Sequence, residues 1–304
     1  MNKSFKVDFL CVGFNKCGTT TLETLMKSNS DITLPKNKKE TLFFDWYKNI
    51  ENPLKVLQKK YYPDYLNNKC IGSIEPSYIS KAKEVYEYFG KDVKLIFMLR
   101  NPIKVTNSMF RMRLRRVPNK YYVNLYKKYN NLDDMFNDFI ENQIKTKKCK
   151  DFFYDDTINE YLKYFKKEQM KFIVMEDFFK NPNKYMKEIS KFLNIKNIKY
   201  TDKDIHVSNK EDKISKNYLC AYINNKTMIY QRKQRCKKGN NENNYARNII
   251  NKIYKYTLKS CDYKMNDTHE KILNEVYKKS ITNTSKLIGI DLRKVWNLSS
   301  DVNE

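Results

Sequence analysis

Glycine and proline are scarce in this chain of 304 residues, with six and seven copies. No Pro/Gly/Ser-rich linker divides the chain and no strict repeat recurs, so one domain spanning 1–304 is expected. Histidine is scarcer still. His206 and His269 stand far apart and the seven cysteines form no CxxC pair, which argues against a zinc site. No apolar run approaches the roughly 18 residues needed to cross a bilayer. Only six or seven residues precede the first apolar run. The chain as written is therefore expected to carry no export signal, no transmembrane segment and no membrane anchor, and to work in the cytoplasm.

Acidic residues are the next shortage: 35 Asp and Glu face 60 Lys and Arg, for a net charge of +25. Such a field attracts nucleic acid, sulfated or carboxylated glycans and nucleotides alike, selecting the sign of a partner and not its identity. The densest cluster, "FRMRLRRVPNK" at 110–120, sets four arginines at near-helical spacing. Two readings stay open for it, a solvated helix face or an anion-binding surface. The 40% hydrophobic content is enough to build a buried core.

Four short apolar runs read as buried strands: "KVDFLCVGF", "KCIGSIEPS", "VKLIFMLRNP" and "KFIVMEDF". Helical patterns stand between and after them, in "TTTLETLMK", "KAKEVYEYF", "IKVTNSMFRMRLRR" and "NPNKYMKEISKFLNI". Strand and helix in alternation predict an α/β fold, a P-loop-like three-layer arrangement with a central parallel sheet flanked by helices. Ligands of such sheets bind beyond the carboxyl ends of the strands.

Two segments reach that edge. The first, "GFNKCGTTTL", joins strand to helix through Gly13 and Gly18, which allow a tight turn around an anion at the helix N-terminus; Thr19, Thr20 and Thr21 add hydroxyl donors. What it lacks is informative. A Walker loop puts lysine directly after the second glycine, but Thr19 holds that place, and the only lysine, Lys16, lies two residues before Gly18. No strand-end aspartate is evident to position magnesium. This combination predicts a phosphorylated donor used without an essential metal. The second segment is "LRNP", where Arg100 leaves a strand and Pro102 opens a helix. Taken alone, Arg100 suits either a structural salt bridge or a ligand.

With both segments in order, the chain resembles the sulfotransferases that use 3'-phosphoadenosine 5'-phosphosulfate (PAPS) and release 3'-phosphoadenosine 5'-phosphate (PAP). "GFNKCGTTTL" looks like their 5'-phosphosulfate loop, and "KLIFMLRNPIKVTNSMF" like their 3'-phosphate motif. The resemblance implies that Asn15, Lys16, Cys17, Gly18, Thr19, Thr20 and Thr21 hold the phosphosulfate. In it Lys16 neutralises the leaving phosphate, while Arg100 and Ser108 bind the 3'-phosphate. "KKETLFFDW" at 38–46 is similar to the segment that carries a catalytic glutamate in the heparan-sulfate, Golgi-type branch, which makes Glu40 the base and a glycan or another polyanionic, hydroxyl-bearing compound the acceptor.

Further along, "YLCAYINNKTMIYQRKQRCKKGNN" resembles a cysteine-flanked loop that closes over the nucleotide, implying a role for Lys237, Lys238 and Gly239 and a possible Cys220–Cys236 disulfide. "SKLIGIDLRKVW" resembles the family's carboxyl-terminal helix and tryptophan. Two positions depart from the branch: Ile74 stands where a lysine is usual and Leu42 where a histidine is common. Glu75, next to Ile74, reads either as a second acid facing the acceptor or as a strand-end carboxylate paired with a lysine. The competing functions are a P-loop kinase, which requires ATP and magnesium, and a non-catalytic basic polyanion binder. No specific nucleic-acid partner is expected.

Overall fold

The computed structural model describes residues 5–36, 38–47, 50–65, 69–149, 152–196, 205, 213–238 and 244–298, with the side chains of 235–238 and 244–247 outside the description. The chain opens with β1 (Phe9–Gly13), α1 (Thr19–Lys27), β2 (Ile32–Thr33), α2 (Phe43–Trp46), α3 (Pro53–Tyr61) and β3 (Cys70–Ile74). A 3-10 turn at Pro76–Ser80 leads to α4 (Ala82–Phe89), β4 (Lys94–Leu99), α5 (Pro102–Arg116), α6 (Lys120–Lys128) and α7 (Leu132–Phe139). Then come α8 (Tyr154–Leu162), β5 (Met170–Val174), α9 (Met175–Lys180), α10 (Pro182–Leu193), β6 (Lys213–Ser215) and α11 (Tyr218–Lys238). The last elements are α12 (Asn244–Thr257), β7 (Leu258–Ser260), α13 (Asp267–Ile288) and α14 (Leu292–Val295).

The main sheet has five strands in the order β2-β3-β1-β4-β5, every pairing parallel. All four strands read from the sequence are present. Their uninterrupted apolar runs are those of strands covered on both faces: every residue of β1 is buried, as are Leu95 to Leu99 of β4. Helices flank the sheet, and the fold is the expected α/β arrangement. Gly72 is demanded by register. It pairs with Phe9, whose nearest ring carbon would lie 2.1 Å from a β-carbon at position 72.

The edge strand β2 and the antiparallel pair β6–β7 escape a sequence reading because two or three residues cannot display a period. The sheet order places β1 centrally, so the turns after β1, β3 and β4 meet at one edge. The helix ends there have local explanations. Pro102 at the first helical position of α5 follows Asn101, whose side chain accepts from Ile103 N at 2.9 Å.

Candidate functional site

The turn from β1 to α1 is shaped by two residues in the left-handed region. Gly18, at φ 83, precedes the first residue of α1 and leaves that helix without a side-chain cap. An uncapped helix N-terminus is a ready anion site, because its first N–H groups have no intrahelical carbonyl to meet. Lys16 is also left-handed, at φ 64, a conformation uncommon for a residue other than glycine. Its carbonyl accepts from Arg100 Nη1 at 3.1 Å, so the arginine at the end of β4 secures the loop after β1.

Arg100 makes no salt bridge among the described residues, which removes the structural-ion-pair reading. Its own turn is clamped from two sides. The Tyr154 hydroxyl donates to Arg100 O at 2.6 Å, and Asn101 N donates to Glu176 Oε1 at 3.0 Å. The other oxygen of Glu176 accepts from the Trp296 indole N–H, also at 3.0 Å.

These residues converge on a cavity of about 580 Å³, lined by Asn15, Lys16, Gly18 and Thr19 to Thr21 together with Arg100, Ser108 and Glu40. Lys39 lines it too, and its ammonium donates to the hydroxyls of Thr20 at 2.5 Å and Thr19 at 3.3 Å. The glutamate segment is thereby tied to the phosphate-type loop by the residue just before Glu40. Its volume falls within the range of roughly 300–1,000 Å³ typical of ligand pockets, enough for one nucleotide-sized compound.

The segment after Glu40 is held by Glu75, which is fully buried. Glu75 Oε1 accepts from Thr41 N at 2.7 Å and from the hydroxyls of Thr41 and Ser73, both at 2.6 Å; Oε2 accepts from Leu42 N at 3.3 Å. Neither reading of Glu75 from the sequence holds: it neither lines the cavity nor pairs with a lysine. Four donors supplied by neutral groups hold it, and it fixes the backbone that follows Glu40. Ile74, where the glycan branch carries a lysine, is core.

Burial pushes the Glu75 carboxyl from 4.5 to about 7, although hydrogen bonds from Ser73 and Thr41 act against the shift. The folded chain then binds this proton more tightly than an unfolded glutamate does. The stabilisation is complete below the unfolded value and is lost as pH rises through about 7. Between about pH 5 and about pH 8, wild type should lose stability relative to Glu75→Gln in denaturant titrations. Parallel pH profiles in the two proteins would contradict it.

Residues 6–269 match the family described as the sulfotransferase domain. The chain belongs to that family. Sulfuryl transfer is the chemistry this membership supports, and neither the kinase nor the non-catalytic binder gains support from it. The match is to the sulfotransferase family as a whole and selects no heparan-sulfate branch. A solved sulfotransferase from Alicyclobacillus acidocaldarius is similar in fold, with TM-score 0.61 and 17% identity over 96% of this chain and 100% of that one. A mouse sulfotransferase complexed with PAP aligns over 96% of this chain and 87% of its own, at TM-score 0.42 and 13% identity. No curated protein matches the sequence.

Within this sulfotransferase fold, several sequence expectations need correction. Cys17 does not line the cavity: its side chain is fully buried, with Sγ 3.5 Å from Asn15 O and 3.8 Å from the Tyr154 hydroxyl. The segment read as a covering loop is, from Tyr218 to Lys238, one 21-residue helix. The physical reason is composition: the stretch has no glycine or proline before Gly239 and carries four Lys, two Arg and two Gln, all good helix formers. Cys220 is a free thiol. Cys236 lies on the same helix, sixteen residues on, a rise of ~24 Å, which a disulfide cannot span. The Cys236, Lys237 and Lys238 side chains and Gly239 lie outside the described residues.

Lys39, Tyr154 and Glu176 were missed by the sequence reading, and Glu75 was named there for roles it does not play. Only Lys39 carried a signal, its place beside Glu40. Of the histidines, His206 lies outside the described residues. His269 is buried, bonded through Nε2 to Asn137 Oδ1 at 2.7 Å, and does not line the cavity. No group of three or more His, Cys, Asp or Glu among the described residues is arranged to hold a metal ion. No described helix is long and apolar enough to cross a membrane.

Proposed function

We propose that this chain transfers a sulfuryl group from PAPS to a hydroxyl or amine of an acceptor, in the first instance a carbohydrate, with Glu40 as base. The observation that carries this reading is the convergence of Lys16, Arg100, Ser108 and Glu40 on one cavity at the carboxyl edge of the sheet. The residues fit a donor with two separated phosphate groups. The uncapped start of α1 with Thr19, Thr20 and Lys16 suits one, and Arg100 with Ser108, about two helical turns into α5, suits the other.

Glu40 accepts the proton of the acceptor O–H as that oxygen attacks sulfur. The S–O bond to the donor phosphate breaks on the opposite side, and its electron pair leaves on the phosphate oxygen. Lys16 supplies the positive charge that meets it, a pre-organised electrostatic contribution that strengthens as charge develops. A glutamate in the base position, with no described histidine lining the cavity, favours a glycan acceptor over a small phenol.

The test is calorimetric titration with PAP, and with ATP plus magnesium, on wild type and Arg100→Ala. PAP should bind in the micromolar range or tighter, and the substitution should weaken it by about 10- to 100-fold. Tight ATP binding with indifference to PAP sinks the reading.

A further inference from the structure

Against the donor cavity lies a second cavity of about 380 Å³. Glu40, Lys39 and Arg116 line both, so Glu40 stands in the partition between them. Five cations line this second space (Lys38, Lys39, Arg113, Arg116 and Arg232) against Glu40 as its one carboxylate. The arginines come from two elements. Arg113 and Arg116 are three residues apart on α5 and share a helix face. Arg232 comes from α11, and its Nη1 donates to Pro118 O at 3.3 Å, a neutral partner that orients the guanidinium without cancelling its charge. Met109 and Met112 supply polarizable apolar surface among these charges.

The donor's phosphates do not account for this wall. Lys38, Arg113 and Arg232 line the second cavity and not the first. A neutral acceptor would leave a strongly positive, partly enclosed space facing apolar or hydroxyl groups, an arrangement whose field concentrates anions. Guanidinium groups arriving from two directions suit an oxyanion, since each presents a planar fork that matches carboxylate, sulfate or phosphate. The volume lies toward the lower end of the range of roughly 300–1,000 Å³ for ligand pockets, which suits a small acceptor unit.

We propose that the second cavity takes a hydroxyl-bearing acceptor that itself carries an anionic group on or beside the ring to be sulfated, with Arg113, Arg116 and Arg232 as its anion subsite. The inference rests on the sulfotransferase reading, in which the acceptor hydroxyl stands at Glu40. It adds that acceptor choice is electrostatic: the reaction places a further sulfate on a compound that an earlier oxidation, sulfation or phosphorylation has already made acidic.

The experiment is titration of the PAP-saturated protein with three matched disaccharides, one ending in glucose, one in glucuronate and one in a phosphorylated glucose, on wild type and Arg232→Gln. Arg232 is exposed, so the variant should fold, and unchanged PAP affinity checks that it does. The charged sugars should bind about tenfold or more tightly than the neutral one, and Arg232→Gln should remove most of that preference. The preference should also shrink as salt rises. A ranking of glucuronate against phosphate identifies the anion. Equal binding of the neutral and charged sugars, binding of none, or a preference unmoved by Arg232→Gln overturns the proposal while the donor reading stands. Failure of wild type to bind PAP overturns both.

Discussion

Replacing Glu40 by glutamine is expected to lower turnover by about 100- to 10,000-fold and to leave PAP affinity within about threefold of wild type. Glutamine keeps the shape and the hydrogen-bonding reach of the side chain and loses only the ability to take a proton. The surrounding structure should not move. Thr41 is held on one side by Glu75 at 2.7 Å, and its carbonyl accepts from the Trp46 indole N–H at 3.1 Å. Lys39 remains on the hydroxyls of Thr19 and Thr20. A fall in turnover with donor binding intact is therefore diagnostic of a lost base. Undiminished turnover would pass the role to another group, and a matching loss of PAP affinity would make Glu40 part of the donor site instead.

The second large effect belongs to Lys16. Lys16→Met should reduce kcat by about 100-fold or more, with a smaller change in the donor KM. A cation aimed at the oxygen that gathers charge as the S–O bond breaks contributes more to the transition state than to the bound ground state. Methionine is unbranched, lacks only the terminal charged atom in length, and leaves the carbonyl of residue 16 to accept from Arg100 as before, so the loop should keep its left-handed turn. Steady-state kinetics with varied donor separates the cases. A raised KM with unchanged kcat would mean that Lys16 only holds the ground state.

Much of this architecture is legible in the residues because burial on both faces leaves a plain signature. "FLCVG" and "KLIFML" are apolar without alternation, and both are central strands. The two turns that border the cavity were legible because Gly18 and Pro102 have backbone requirements that few other residues meet. Glu75 shows the limit of such reading. Its sequence neighbours suggest a strand end near solvent, and only the tertiary structure reveals that it is closed in by Thr41 and Ser73. Tyr154 and Glu176 were invisible for a related reason: each acts on the Arg100 turn from 54 and 75 residues away, and no local pattern encodes a contact at that separation. The error at α11 ran the other way, since a resemblance to a loop outweighed a stretch whose composition favours helix.

The clamp on the Arg100 turn also bears on when the site exists at all. Trp296 lies just past α14 and holds Glu176, which holds Asn101, beside the arginine that secures the loop at Lys16. A pocket that begins at residue 15 is therefore braced by one of the last residues in the described chain. Versions of the protein clipped or frayed at the final helix would keep all five strands of the main sheet and lose the brace. Any opening of that helix should loosen the Arg100 turn before it loosens the core.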